Sequence, residues 1–280
     1  MSKHVFRFFA SPTSAIQWTL DAEDAHHALK VLRLPAGETV EATDGKGNLI
    51  RGTLLPTGKE SADITNISII HTAHTAEPVA GSDTISRIQL ELAVGALKPG
   101  DLDDVIPALV ELGVNRISVF ITEETGKNRI ADKSVERWNR IIRTATKQSK
   151  RLWLPELATY DSINGWLDSL PKPSEILADN ARWMFAEPEP DHGPDTEDRK
   201  TKSGFQAIQG FSIRGDGKSA DWPLMLTGLV GSERGFSAKE VQAVLEQGFV
   251  PVSLGAHVLR ARTAAIAAAT MLAMAGHAGQ

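Results

Sequence analysis

The stretch Leu224–Ala275, LMLTGLVGSERGFSAKEVQAVLEQGFVPVSLGAHVLRARTAAIAAATMLAMA, decides the fold of this protein. Its first part, Leu224–Val230, is an apolar run of strand length. The segment Gly231–Gly235 interrupts that run with glycines, which adopt backbone angles that other residues resist. Ser237 is followed by Glu240 with the spacing of a capping box, so a helix is predicted to begin there.

The second part of the stretch repeats this arrangement. Phe249–Leu254 predicts a strand that Gly255 ends, and an alanine-rich helix is predicted over Val258–Met274. Ligands of open α/β sheets bind over the loops at the carboxyl ends of strands, so two such loops predict a ligand site. The pattern alone leaves an ordinary strand–glycine–helix joint equally open. Neither GxGxxG nor GxxxxGK(S/T) occurs, so NAD and nucleoside triphosphates are not predicted.

Length and composition limit the class of protein. A chain of 280 residues has room for two domains, and the absence of cysteine excludes disulfides and thiolate metal sites. Met1–Ala10 lacks the apolar core of a signal peptide, and Ala261–Met274 is too short to span a membrane. These features predict a soluble, cytoplasmic protein. The net charge of −5 argues only mildly against nucleic acid, because local charge matters more than the total.

The pattern of strands predicts a boundary between two domains. The first, 1–72, is predicted to be β-rich, and the second, 85–280, to be α/β, with a polar linker at 73–84. Predicted elements of the first domain are the helix Ala22–Arg33 after Asp21 and the strands Glu38–Thr43, Leu49–Leu55 and Ala62–Ile70. Predicted elements of the second domain before Leu224 are Ile85–Leu97, Asp101–Leu112, Val114–Thr122, Ser162–Leu170 and the strand Glu175–Asn180. The acidic, proline-rich stretch 187–203 is predicted to be a flexible insertion.

A basic helix is the most informative surface in the sequence. Between Gly126 and Arg151 lie nine Lys/Arg and two acidic residues. One stripe of this helix consists of cations at helical spacing: Lys133, Arg137, Arg140, Lys147 and Arg151. The alternative is an ordinary solvated face, but the scarcity of acids favours a polyanion such as RNA. In the first domain, Lys30 and Arg33 lie one turn apart and are also placed to contact a phosphate backbone.

Several motifs, in order along the chain, resemble one enzyme family. VGSERGFSAKE and SLGAHVLRARTA resemble the IGPEGG(F/L)S..E and LG..(I/V)LR..TA motifs of the RsmE family of 16S ribosomal RNA (uracil-N3) methyltransferases. HHALKVLRLPAGETVEATDGKGN, VELGVNRISVF and ATKQSKRLWLPE resemble further segments of that family. The resemblance implies a SPOUT-type trefoil-knotted α/β domain preceded by a small PUA-like β-barrel, a homodimer, S-adenosylmethionine as cofactor and 16S rRNA of the small ribosomal subunit as partner.

The resemblance also implies roles for particular residues, and it implies no metal. Cofactor-binding positions are Asp179, Gly231, Ser232, Glu233, Gly235, Leu254, Gly255, Val258, Leu259 and Thr263. Candidate catalytic residues are Arg7, Glu233 and Arg260, where Arg7 would stabilise charge on the uracil oxygens. Candidate RNA-binding residues are Arg7, Lys30, Arg33, Arg137, Arg140, Lys147 and Arg151.

Four positions depart from the family pattern. Ser232 stands where the family has Pro, Arg234 where it has a second Gly, Ala108 where it usually has Lys, and Arg262 where an acidic or small residue is common. Either the loop follows a different path, or Arg234 adds a contact to RNA or the cofactor carboxylate. Two alternatives therefore stay open: a SPOUT enzyme acting on a ribose 2′-hydroxyl, and a non-catalytic RNA-binding protein with a degenerate cofactor loop.

Overall fold

A computed structural model describes residues 5–72, 88–98, 100–126, 130–175, 180–186, 202–204, 206–207 and 224–277. The chain divides into two compact units. Unit 1 comprises Met1–Ser86 and Arg143–Leu154, and unit 2 comprises Arg87–Ile142 and Pro155–Gln280. The predicted linker, 73–84, lies outside the described residues. Unit 1 differs from the predicted first domain, 1–72, because it runs to Ser86 and also includes Arg143–Leu154 from the second half of the chain.

Unit 1 is a closed five-stranded barrel, and this confirms the predicted PUA-like β-barrel. Its elements are β1 (Arg7–Ser14), β2 (Gln17–Leu20), α1 (Ala22–His26), a π-helix (His27–Val31), β3 (Thr39–Thr43), β4 (Leu49–Pro56) and β5 (Ala62–His71). The strands follow the order β1-β2-β5-β4-β3, and a parallel pairing of β1 with β3 closes the barrel. The interior is apolar and includes Phe8, Trp18, Val40, Ile50, Leu54 and Ile64.

The helix of the barrel ends in an unusual conformation. The predicted helix Ala22–Arg33 is observed as α1 followed by the π-helix, and Arg33 adopts a left-handed backbone with φ of 51°. Few non-glycine residues tolerate this conformation, because Cβ crowds the following carbonyl. The residues Lys30, Val31 and Arg33 are all exposed. The segment therefore holds two cations and one apolar side chain outward on a partly strained backbone.

The segment Arg143–Leu154 is attached to the barrel by ion pairs. Arg143 pairs with Asp21, the residue at the N-cap position of α1, and Lys147 pairs with Asp24. The guanidinium of Arg143 also lies 4.1 Å from the centre of the Phe9 ring. Asp24 is buried and in addition accepts a hydrogen bond from the backbone N–H of Phe9 at 2.7 Å. Lys147 neutralises the Asp24 carboxylate, which would otherwise be costly to bury.

Backbone hydrogen bonds extend this attachment to the end of the segment. Gly47 N–H donates to the Leu152 carbonyl at 3.0 Å, and Leu154 N–H donates to the Gly45 carbonyl at 2.9 Å. Arg7 Nη1 donates to the Lys150 carbonyl at 2.6 Å. The segment is thus an integral part of unit 1.

Arg7 and Glu41 form a second charged group in the barrel. Arg7 Nη2 lies 2.9 Å from Glu41, and Arg51 Nη2 lies 2.8 Å from the other oxygen of the same carboxylate. Burial pushes the pKa of Glu41 upward, but the hydrogen bonds and charges of Arg51 and Arg7 outweigh it, so the pKa lies below its usual value of 4.5. Glu41 is therefore held in its charged form.

Unit 2 is built on a seven-stranded, parallel sheet with the order β10-β12-β9-β11-β6-β7-β8. The strands are β6 (Ile88–Gly95), β7 (Arg116–Phe120), β8 (Glu156–Tyr160), β9 (Ala181–Ala186), β10 (Lys202–Ser203), β11 (Leu224–Val230) and β12 (Val250–Ser253). The α-helices are α2 (Asp101–Glu111), α3 (Asp132–Gln148), α4 (Ile163–Leu167), α5 (Ala238–Glu246) and α6 (Ala261–His277). The residues of α3 from Arg143 onward belong to unit 1. Two 3-10 turns, Glu123–Thr125 and Pro173–Glu175, complete the described elements.

The central strands are mostly apolar, as is usual for a parallel sheet that is covered on both faces. Gly228 in β11 shows how closely α6 packs on the sheet. A Cβ atom there would lie 2.8 Å from Leu272 of α6, 2.9 Å from Leu92 of β6 and 3.0 Å from Phe185 of β9. Only glycine leaves room for these three side chains to meet over the strand.

Three predictions about unit 2 were wrong in position. The strand predicted at Glu175–Asn180 is found at Ala181–Ala186, so its carboxyl end is Ala186, and Asp179 lies outside the described residues. The last helix begins at Ala261 and not at Val258, because Leu254–Arg260 forms an extended loop before it. The end of the predicted flexible insertion, Lys202–Ser203, forms β10 against β12. The rest of that insertion lies outside the described residues.

A row of polar side chains crosses the sheet at one register. Arg182, Thr227, Glu91 and Arg116 are successive partners on β9, β11, β6 and β7. Glu91 is buried, and its Oε1 accepts hydrogen bonds from Ser118 Oγ at 2.7 Å and Trp166 Nε1 at 3.1 Å.

Glu91 also acts electrostatically on both arginines of this row. Burial lowers the pKa of Arg116, but the charge of Glu91, with Tyr160 and Glu156, more than reverses this, so the pKa is raised. Burial lowers the pKa of Arg182, which Glu91 opposes only in part. The charge of one buried carboxylate therefore acts to raise the pKa of both guanidiniums.

Candidate functional site

The carboxyl ends of the strands in unit 2 lie at one edge of the sheet, because all strands are parallel. Two of the connections that leave this edge are the predicted glycine loops. The first loop is Gly231–Phe236 after β11, and the second loop is Leu254–Arg260 after β12. Only β9 separates the two strands, so the loops start about 10 Å apart, which is two strand spacings. The predicted meeting of the two glycine loops at one edge is therefore observed.

The first loop contains a tight turn that explains one departure from the family pattern. Gly235 N–H donates to the Ser232 carbonyl at 3.0 Å, which closes the turn. The left-handed position of the turn falls on Gly235, with φ of 73°, and Arg234 does not adopt a positive φ. An arginine is therefore accommodated at 234 without backbone strain. Its Nη1 donates to the Glu124 carbonyl at 3.2 Å.

The neighbouring strands fix the position of the first loop. Ser232 is buried, and its Oγ lies 3.2 Å from Thr122 Oγ1 of the turn after β7. Gly95, at the end of β6, approaches so closely that a Cβ atom would lie 2.5 Å from the Ser232 backbone nitrogen. Glu233 is exposed, and one of its oxygens lies 4.0 Å from Lys98 Nζ. The loop thus presents one carboxylate outward on a fixed backbone.

Glu240 connects the first loop to α5 and to the turn after β7. The predicted capping box is confirmed: Ser237 Oγ accepts from Glu240 N–H, and Glu240 Oε2 accepts from Ser237 N–H at 2.8 Å. The other oxygen, Oε1, accepts from Glu123 N–H at 2.9 Å. Glu240 is buried, so both of its oxygens are committed to backbone N–H groups. The sequence pattern predicted the cap but gave no sign of the bond to Glu123.

The second loop borders a cavity of about 560 Å³. The lining residues are Ser203, Gly204, Ser253, Leu254, Gly255, Ala256 and Met271. Gly255 has φ of 148°, and nothing lies within 4 Å of where its Cβ would be. Backbone groups and small or apolar side chains thus surround the space, as in many small-molecule sites. The residues present fit a cofactor with an apolar ring system and polar edges.

The remaining predicted positions of the second loop are at the surface. Val258 is 63% exposed although it is apolar, and Leu259 is half-buried. Arg260 and Thr263 are exposed at the start of α6, where the Arg260 carbonyl accepts from Ala264 N–H at 2.8 Å. The fourth departure, Arg262, forms an exposed ion pair with Asp104 at 2.9 Å.

The predicted RNA-binding residues fall into two groups. Lys147 and Arg151 are not on an open face: Lys147 pairs with buried Asp24, and Arg151 is itself buried. Arg137 is exposed but pairs with Asp103 at 2.6 Å, and Arg140 is exposed. Sequence periodicity groups these side chains on one stripe, but the packing of the helix divides them. Lys30 and Arg33 are exposed, while the Arg7 side chain is only 12% exposed and bonded as described above.

Metal coordination and membrane insertion are two further properties that bear on the class of site. Within the described ranges, no group of His, Cys, Asp or Glu side chains is arranged to hold a metal ion. Among the helices that the structure describes, none is long and apolar enough to cross a membrane.

Comparison with known proteins gives consistent matches along the chain. The profile of the RNA methyltransferase domain family matches residues 84–273, and that of the RNA methyltransferase PUA domain matches residues 20–65. The Ribosomal RNA small subunit methyltransferase E of Synechocystis sp. is 26% identical over 261 residues, covering 92% of this chain and 74% of that protein. The protein of the same name from Buchnera aphidicola subsp. Schizaphis graminum is 24% identical over 261 residues, covering 91% and 89%.

A crystal structure gives the corresponding comparison of fold. The Ribosomal RNA small subunit methyltransferase E from Neisseria gonorrhoeae, bound to S-adenosyl methionine, is similar with a TM-score of 0.69 and 24% identity, covering 95% of each chain. At this identity the likeness shows a shared fold, consisting of the barrel and the parallel sheet.

Proposed function

The chain belongs to the RNA methyltransferase domain family, and on that premise we propose that it uses S-adenosylmethionine to methylate N3 of a uridine in 16S rRNA of the small ribosomal subunit. The relatives at 24–26% identity carry the name of a small-subunit RNA methyltransferase over most of this chain, which supports the substrate class. The proposal includes the trefoil knot and the homodimer implied by the resemblance.

One observation carries the proposal. The two glycine loops start at the same edge of the sheet, from strands that only β9 separates, and a cavity of about 560 Å³ adjoins the second loop. Gly235 and Gly255 have open space where a side chain would stand, so a ligand can approach the backbone there. We assign cofactor binding to Gly231, Ser232, Glu233, Gly235, Leu254, Gly255, Val258, Leu259 and Thr263.

S-adenosylmethionine, when bound, supplies an electrophilic methyl group. The protein must then orient the uracil, favour loss of the N3 proton and stabilise the charge that develops on the uracil oxygens. We assign proton acceptance to Glu233, whose exposed carboxylate is on the first loop. We assign orientation of the base to Arg260, whose side chain is exposed before α6. The predicted role of Arg7 on the uracil oxygens stays a prediction, since Glu41 and the Lys150 carbonyl engage its guanidinium.

RNA binding is assigned to the cations that remain exposed. In unit 1 these include Lys30 and Arg33, which flank the exposed Val31. In unit 2 they include Arg140, and Arg137 can exchange its surface pair with Asp103 for a phosphate at small cost. Such contacts predict an affinity for RNA that falls steeply as salt rises.

A methyl-transfer assay tests the proposal. Purified protein, labelled S-adenosylmethionine and small subunits from a strain lacking the modification should give labelled 16S rRNA containing N3-methyluridine by mass spectrometry. Labelling at a ribose 2′-hydroxyl instead would favour the other SPOUT activity. Absence of calorimetric binding at millimolar cofactor, with RNA binding retained, would favour the non-catalytic protein. A Glu233→Gln variant should keep the fold of the wild-type protein by circular dichroism and lose turnover by a larger factor than it loses cofactor affinity.

A further inference from the structure

We infer that the turn after β7, Thr122–Thr125, positions the first loop, and that Glu240 and Thr122 are its positioning residues. This inference rests on the proposed function, because the first loop is assigned there to the cofactor. The turn follows β7, which is separated from β11 only by β6. It is therefore placed beside the loop without being part of it.

Three polar contacts join the turn to the first loop and its helix. Thr122 Oγ1 lies 3.2 Å from Ser232 Oγ. The Glu124 carbonyl accepts a hydrogen bond from Arg234 Nη1 at 3.2 Å. Glu123 N–H donates to Glu240 Oε1 at 2.9 Å. The turn is itself rigid, since Thr122 and Thr125 form a reciprocal capping box. A rigid turn bonded at three points restrains the loop more than its own internal hydrogen bond does.

Glu240 is the strongest of these contacts. Its two oxygens receive N–H groups from two different elements, Ser237 at the start of α5 and Glu123 in the turn. The side chain is 3% exposed, so water does not replace either bond if the carboxylate is removed. A carboxylate acceptor also makes stronger hydrogen bonds than a neutral one. Glu240 thus sets the distance between the end of the first loop and the turn.

The Ser232–Thr122 contact accounts for a second departure from the family pattern. A proline at 232 would fix its own backbone angle, whereas a serine leaves that angle free. In this chain the Ser232 hydroxyl contacts Thr122 and also lies 3.4 Å from the Gly235 carbonyl and the Arg234 nitrogen. In this chain, hydrogen bonds of the Ser232 hydroxyl thereby restrain the first loop, whereas a proline ring at the same position would restrain it in the family pattern.

Cofactor binding by variants tests this inference. Thr122→Val removes the hydroxyl at nearly constant volume, and Glu240→Gln replaces one acceptor oxygen with an amide NH2. We expect each to raise the Kd and the KM for S-adenosylmethionine about three- to tenfold, with the KM for RNA unchanged. Glu246→Gln is the matched control, because Glu246 is exposed on the same helix and bonds only to Gln242 among the contacts observed for it.

Two further measurements separate positioning from mere stability. A purely structural role would lower the active fraction and leave the KM for S-adenosylmethionine unchanged. In a Ser232→Pro background, Thr122→Val should no longer affect that KM, because the ring has replaced the hydrogen bond. Retention of the full Thr122→Val effect in that background would contradict the inference.

The outcome for the wild-type protein distinguishes the inference from the proposed function. Failure of the wild-type protein to bind S-adenosylmethionine would refute the proposed function. Wild-type binding with unchanged Kd in both variants would refute the inference alone. Amide hydrogen exchange of Gly231–Phe236 needs no cofactor and should accelerate in Glu240→Gln; unchanged exchange would also overturn the inference.

Discussion

Removal of the Glu91 carboxylate should destabilise unit 2 more than removal of any exposed charged group in its sheet. Glu91→Ala leaves the Ser118 hydroxyl and the Trp166 N–H buried without their acceptor, at roughly 1–3 kcal/mol each. It also leaves Arg116 without a counter-charge at 3.8 Å, but because that side chain is 37% exposed, solvent screening limits this loss to about 1 kcal/mol. Because these terms overlap, we expect a loss of about 3–5 kcal/mol in the free energy of unfolding.

Two matched variants separate charge from hydrogen bonding. Both donors bond to the same oxygen, Oε1, so the carbonyl oxygen of Glu91→Gln can still accept them and only the charge is lost. We expect that variant to lose about 1–3 kcal/mol. Glu156 lies 3.6 Å from the same arginine but is 62% exposed, so Glu156→Gln should cost less than about 1 kcal/mol.

Urea unfolding followed by circular dichroism measures these differences as shifts in midpoint at constant slope. The expected order of stability is wild type and Glu156→Gln, then Glu91→Gln, then Glu91→Ala. If the free energies of unfolding of Glu91→Ala and Glu156→Gln lie within about 1 kcal/mol of each other, Glu91 does not stabilise Ser118, Trp166 and Arg116 as described and the reasoning is wrong.

Three further predictions concern the loop, the barrel and the RNA surface. Gly95→Ala should weaken cofactor binding at least about tenfold, because its Cβ would lie 2.5 Å from the Ser232 nitrogen. Gly165→Ala is the control, because its nearest contact is at 3.5 Å and its cofactor affinity should not change. Equal cofactor affinities of the two variants by calorimetry would contradict this prediction. The lowered pKa of Glu41 contributes stability that is complete above pH 4.5 and is lost as the pH falls through the folded-state value. The free energy of unfolding should therefore decrease less between pH 7 and pH 3 in Glu41→Gln than in the wild type. An equal decrease in both proteins would contradict this prediction. Arg33→Gly should raise the melting temperature slightly by relieving its positive φ and should reduce RNA affinity in filter binding; unchanged affinity would exclude Arg33 as a contact.

The elements that local pattern decides were predicted well. Leu224–Val230 is β11 as predicted, and the Ser237–Glu240 capping box starts α5. Both depend on residues within a few positions of each other, which periodicity and cap chemistry can detect. The first and second loops were predicted to lie at one edge because the strands before them are parallel. The parallel sheet was itself predicted from the alternation of strands and helices.

The features that sequence reasoning missed depend on residues far apart in the chain. The strand β9 is recognisable by its pairing with β11 and β12, whereas the local pattern placed this strand at Glu175–Asn180, just before its observed position. The cations at Lys147 and Arg151 fit an exposed stripe by spacing, but Lys147 pairs with Asp24, 123 positions away, and Arg151 is buried. Likewise, no local pattern shows that Glu240 bonds to Glu123, 117 positions earlier.

The attachment of Arg143–Leu154 to the barrel has a consequence for synthesis of the chain. The ribosome completes all five barrel strands by residue 71, but the cations that face Asp21 and Asp24 emerge only some seventy residues later. Until then the nascent barrel carries the buried carboxylate of Asp24, beside Phe9, without its counter-charge. A fragment ended at residue 72 keeps that deficit permanently, so it should fold poorly in isolation, and supplying the missing residues as a separate peptide should rescue it.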